Sequence, residues 1–142
     1  MFSFLNAMPD AKAQVSGYKN YPELEGTVSF YGVHGGTVIV ADIMHLPNAN
    51  AFHGFHIHEG KSCDNPGQHY TKEPMQHPDH TGDMPPLLAN DGMAFAVFYT
   101  NRFFPEDVIG KTVIIHEKPD DFRTQPSGDA GEMIACGEIK LV

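Results

Sequence analysis

Residues 26–31 read GTVSFY and residues 36–43 read GTVIVADI, with a Gly-rich turn between them. β-Branched and aromatic side chains alternate there with small or polar ones, the period-two pattern of a strand with one buried face. Together the two segments predict a β-hairpin. Outward from it, residues 52–58, 93–100 and 111–116 carry the same pattern, and residues 133–141 close the chain with it. Asn90, Asp91 and Gly92 form a strong turn signal before one of these strands. One short helix is expected over residues 105–109, where a proline and two acids stand at its start. Many short strands with turn signals between them predict an all-β domain, an antiparallel sandwich or barrel.

The bulk properties set the boundaries of function. The chain has 142 residues, 41% hydrophobic and 11% aromatic, which is globular composition for a single domain over residues 1–142. No apolar run approaches the roughly 20 residues of a membrane helix, so no membrane partner is expected. Formal net charge is −9 and no basic cluster exists, which argues against a nucleic-acid partner. The opening MFSFLN is too short for a secretory signal and lacks its basic start. The expected compartment is therefore the cytoplasm for a complete chain, or an extracytoplasmic space for one that has lost a presequence.

Two stretches resist the strand pattern, residues 59–91 and residues 117–132, both polar and rich in Pro and Gly. A loop of over thirty residues is uncommon in a compact domain unless something ties it down. Histidine suggests what does. Six of the nine His fall between His53 and His80, where chance would place about two.

On a strand, His56 and His58 emerge on the same side, about 7 Å apart, while Ile57 points into the core. Such a pair can chelate one metal through two imidazoles, or can simply sit on a solvated face. His53 has the opposite parity and is expected to hydrogen-bond backbone. In the long loop, His69, His77, His80 and Asp83 offer three imidazoles and a carboxylate, a complete tetrahedral shell for zinc with no position left for water. Such a closed shell is structural; the other reading of these residues is a merely hydrophilic His-rich loop. His116 ends an apolar strand and could reach a metal held by another strand; taken alone, it reads as a strand-end histidine. Cys63 and Cys136 fit neither a zinc finger nor a Cys-x-x-Cys redox site, which leaves a disulfide or two separate thiols.

Taken in order, GFHIHEG with a following Cys, then His69, His77 and His80-Thr-Gly-Asp83, then HEKPDD, then SGDAGEMIACGEI resemble the copper/zinc superoxide dismutase family. The resemblance runs from about residue 26 to the C-terminus. It implies a Greek-key antiparallel β-sandwich or flattened barrel with two long functional loops. It also implies that superoxide is converted to O₂ and hydrogen peroxide at a redox copper bridged by a histidine to a structural zinc. His56, His58 and His116 match the family's copper ligands, and His69 matches the histidine shared by both metals. His77, His80 and Asp83 match the remaining zinc ligands, and Asp120 matches a carboxylate that orients a copper His and a zinc His. Cys63 and Cys136 match an intrachain disulfide. The alternative is a non-catalytic copper/zinc-binding protein of the same fold; the assembly is expected to be a monomer or homodimer.

The chain also departs from the family. The steps from His58 to Cys63 and from His77 to His80 are short, so the zinc loop is trimmed. The family's anion-guiding arginine, three residues before the second Cys, is here Met133, preceded by Glu132. Arg123 is the expected substitute for anion guidance, with Lys118 behind it, and the resemblance implies a slower enzyme.

Overall fold

The computed structural model describes residues 7–47 and 50–142. The described residues form, in order, β1 (Ala11–Gly17), β2 (Glu25–Val33), β3 (Gly36–Met44), β4 (Phe52–His53), β5 (Phe55–His58), β6 (Leu87–Leu88), β7 (Ala94–Thr100), α1 (Pro105–Val108), β8 (Thr112–His116) and β9 (Met133–Leu141). Seven strands make one antiparallel sheet in the order β5-β8-β9-β1-β2-β3-β7, and β4 pairs with β6. The sheet's two outer strands, β5 and β7, face each other: the rings of Phe55 and Phe98 meet edge-on at 6.4 Å. The sheet thus curls on itself into a flattened barrel, with crossovers from β3 to β5 and from β7 to β8 giving it Greek-key order. Val28, Phe30, Ile39, Ile57 and Val113 fill the interior with no exposed surface. Each such side chain contributes roughly 1.5–3 kcal/mol of burial.

The predicted hairpin is β2–β3, paired without a break from Glu25 opposite Met44 to Val33 opposite Gly36. The predicted turn at Asn90 is a tight one: Asn90 and Met93 exchange N–H···O bonds of 2.7 and 3.0 Å. The expected strand over residues 52–58 is divided at Gly54, with β4 paired to β6 and β5 to β8. Gly54 directs its N–H to the Lys118 carbonyl (2.9 Å) and receives the His116 N–H (2.9 Å), so its backbone is committed to the second loop.

Sequence patterning does not single out β1. Its alternation is clean: Ala11, Ala13 and Val15 are buried, while Lys12, Gln14 and Ser16 face out. Two of the three buried positions are alanine, a weak strand former, so the period lacks the β-branched signal. Tertiary pairing decides the matter, because β1 lies between β9 and β2 and joins the two halves of the sheet.

Candidate metal centre

β5 places His56 and His58 on one face, and β8 ends beside it with His116. Between Ile115 and His116 the register against β9 shifts, so His116 faces Met133 rather than Ile134. Such a bulge re-aims a strand-end side chain. The long loop after β5 then folds back along that strand's free edge. Ile57 donates its N–H to Gly82 O (2.9 Å) and accepts from Tyr70 N–H (2.8 Å). Isolated bridges join His58 to His69 and His56 to Asp83. The loop is therefore held by short lengths of ladder as well as by side chains. Gly82 permits this approach, since a Cβ there would stand 2.5 Å from the Ile57 carbonyl oxygen. The Cys63–Cys136 disulfide ties the start of the same loop to β9, with Cα atoms 5.8 Å apart.

The result is one cluster of buried imidazoles. His56, His58, His69 and His116 bring one donor atom each within 4.8 Å of the others. Their ring centroids outline a quadrilateral. The sides are 4.0 Å (His56–His69), 4.8 Å (His69–His58), 5.6 Å (His58–His116) and 4.9 Å (His116–His56). Both diagonals are 6.4 Å. Four imidazoles in a square-like array suit the tetragonal preference of Cu(II).

A second cluster shares His69. The Asp83 carboxylate lies 2.8 Å from His69 Nδ1, 3.2 Å from His77 Nδ1 and 3.1 Å from His80 Nδ1. Those separations are near the ligand–ligand spacing of roughly 3.3 Å that bonds of about 2.0 Å impose in a tetrahedral zinc shell. His56 also comes close to this group, but its Nε2 is already bonded to Asp120, so His80 is the better fourth member.

Hydrogen bonding fixes which nitrogen each ring offers. His56 Nε2 and His77 Nε2 both donate to Asp120, at 2.7 Å each. His58 Nδ1 donates to Gly67 O (2.8 Å) and His116 Nδ1 to Gly131 O (3.1 Å). Six ring nitrogens are buried without a hydrogen bond: His56 Nδ1, His58 Nε2, His69 Nε2 and His116 Nε2, and His77 Nδ1 and His80 Nδ1, which face the Asp83 carboxylate. Unpaired buried polar atoms are costly, and six converging on two points is the pattern of a site built for cations. Burial pushes the His58 imidazole down to about 3 and His116 to about 4, and lowers His56 as well. These rings are neutral and ready to ligate. Burial works to raise the Asp120 carboxyl, but the hydrogen bonds from His56, His77 and the Phe122 N–H override it and hold it at about 2.

A family model described as copper/zinc superoxide dismutase matches residues 24–139. The chain belongs to the copper/zinc superoxide dismutase family. Relatives include "Superoxide dismutase [Cu-Zn] 1" of Aquifex aeolicus, 31% identical over 99% of this chain and 94% of its own length. A Legionella pneumophila "Superoxide dismutase [Cu-Zn]" is 30% identical over 99% of this chain and 93% of its own. An "Extracellular superoxide dismutase [Cu-Zn]" of Drosophila melanogaster is 36% identical over 63% of this chain and 60% of its own.

As expected of this superoxide dismutase family, the fold is nearly all β, and copper and zinc are the cofactors that its histidine and aspartate groups suit. The imidazoles open to solvent through a cleft of about 420 Å³, lined by His58, His69, His80, His116, Gln68, Thr71, Met75, Pro126 and Ser127 among others. Among the described residues, no Lys or Arg lines it. Arg123 is exposed on the loop that supplies Pro126 and Ser127, and neither it, Lys118 nor Met133 belongs to the cleft wall. His53 is fully buried and is not a member of either cluster; its ring bonds the His116 backbone carbonyl (Nδ1···O 2.9 Å). Sequence reasoning overlooked Gln125 and Arg102, whose side chains hold the backbone of the zinc-type segment. Neither stands in a recognisable motif.

Proposed function

We propose that residues 1–142 form one domain that dismutes superoxide at copper held by His56, His58, His69 and His116. In this reading zinc is held by His69, His77, His80 and Asp83. One observation carries it: His69 presents a buried, unpartnered Nε2 to the first cluster and its Nδ1, 2.8 Å from Asp83, to the second. A single imidazole facing two cation sites has no use in an ordinary hydrogen-bonded core.

When bound, copper supplies one-electron chemistry, taking an electron from one superoxide and returning it to a second, while zinc supplies fixed positive charge. The chain's residues supply the rest. His69 Nε2 is the atom that takes up a proton when it is not ligating, and it faces the cleft through which superoxide arrives. That proton, with one from water, completes hydrogen peroxide. Asp120 holds His56 and His77 in one tautomer and orientation through its two oxygens. Burial of His58 and His116 keeps protons from competing for their ligating nitrogens. With net charge −9 repelling the substrate anion, Arg123 provides guidance from outside the cleft wall.

The test is metal content beside activity. His58→Ala should abolish dismutation while zinc is retained. His80→Ala should lose zinc while part of the activity remains. Normal turnover in a copper-free preparation would sink the assignment.

A further inference from the structure

The segment that carries His77 and His80 is held through its backbone by two side chains from elsewhere in the chain. Gln125 takes both functions of one peptide-forming residue: the His77 N–H donates to its Oε1, and its Nε2 donates to the His77 carbonyl, each at 2.8 Å. A primary amide matches this donor–acceptor pair, whereas a carboxylate would face the carbonyl oxygen with another acceptor. Arg102 takes the next stretch, donating from Nη1 to Pro78 O (2.8 Å) and His80 O (2.9 Å).

The two differ in what they carry with them. Gln125 immediately precedes Pro126 and Ser127, which form part of the wall of the imidazole cleft. The same turn is bound a second time to His77. Asp120 receives the His77 ring through Oδ1, and Gly128 packs directly behind, where a Cβ would stand 2.0 Å from that oxygen and 2.6 Å from His77 Nε2. Backbone bonds from Asp121 N–H to Gly128 O (2.9 Å) and from Gly128 N–H to Thr124 O (2.7 Å) make residues 121–128 one compact unit. A shift in the His77 backbone is thus transmitted to the cleft wall by a chain of direct hydrogen bonds. Arg102 reaches that wall only through the His80 carbonyl, and its own sequence neighbours Asn101 and Phe103 do not line the cleft.

We propose that Gln125 couples the two metal sites: by holding the His77 backbone, it makes zinc occupancy fix residues 121–128 and so the wall of the copper cleft. The proposal rests on the reading above that His77 holds zinc. Gln125 is a positioning residue that acts on both sites through others and touches neither metal.

Hydrogen exchange of copper-free protein titrated with Zn²⁺ tests this without any reliance on turnover. In the unmodified protein, zinc should slow amide exchange across residues 121–128 by at least about ten-fold. In Gln125→Ala, zinc should still bind, with its Kd raised by about ten-fold as for other groups that orient a ligand, but the protection of 121–128 should no longer appear. Gln125→Glu, which keeps the acceptor and loses the donor, should recover part of it, and serves should the alanine variant fail to fold. Arg102→Ala should weaken zinc while the protection of 121–128 on saturation remains. Full zinc-induced protection in both Gln125 variants would overturn the coupling while leaving the metal assignment standing. Unchanged zinc affinity in His77→Ala would overturn the zinc assignment and the coupling with it.

Discussion

The buried His53 ring bonds the backbone carbonyl of His116 (Nδ1···O 2.9 Å), so a histidine outside both clusters fixes the strand end that presents one inside them. The His116 N–H is meanwhile held by Gly54 O at 2.9 Å. His53→Ala leaves a buried carbonyl unpaired and opens a cavity, so it should cost about 1–3 kcal/mol of stability. It should also weaken copper binding more than zinc binding. Denaturant unfolding with metal titrations would measure both, and a variant as stable as the parent would show that the contact contributes nothing.

Asp120 links His56 of one cluster to His77 of the other through its two oxygens, at 2.7 Å each. Asp120→Ala frees both rings at once. Affinity for copper and for zinc should each fall by roughly 10–100-fold, the range typical of groups that orient metal ligands. Loss confined to one metal would mean that only one of the two bonds matters.

The Cys63–Cys136 bond closes a long loop, 73 residues in sequence separation. Chain-entropy treatment gives roughly 4 kcal/mol for a loop of this size. Cys63→Ser with Cys136→Ser should lower the urea midpoint accordingly in metal-free protein. Thiol titration of the unfolded, non-reduced parent should find no reactive cysteine.

Acid should destabilise the metal-free protein in a defined window. His58 and His116 are held at about 3 and about 4 in the fold, against 6.5 for an ordinary imidazole. Between those values the unfolded chain binds more protons than the folded one, so stability falls as pH falls. Asp120, held at about 2, adds to the loss only at still lower pH. The thermal midpoint should therefore drop between pH 7 and pH 5; a flat profile would mean that these imidazoles protonate freely within the fold.

The cationless cleft makes a prediction about salt. Met133→Arg introduces a guanidinium near His116, opposite which Met133 stands across the β8–β9 pair. It should raise the rate with superoxide by up to about ten-fold, and salt should then suppress that gain. Arg123→Ala should lower the rate of the parent and flatten its salt dependence. If neither substitution changes rate or salt response, guidance by charge plays no part in this enzyme.

The strands were legible in the residues alone, because β-branched and aromatic runs, with clear alternation along β2 and β3, are a local property of side chains on a pleated backbone. The donor set was legible too: five of the six histidines between residues 53 and 80 fall in the two clusters, His53 being the exception, and the order of motifs named the family. How those donors divide depends on the fold. The nitrogen each ring offers depends on partners distant in sequence, such as Asp120 for His56 and Gly131 for His116. β1 was illegible for the same reason, since its alanines have meaning only between β9 and β2. Gln125 belongs there too: a glutamine in a polar loop carries no local signal. It acquires a role only when folding sets it against a peptide group 48 residues away in sequence.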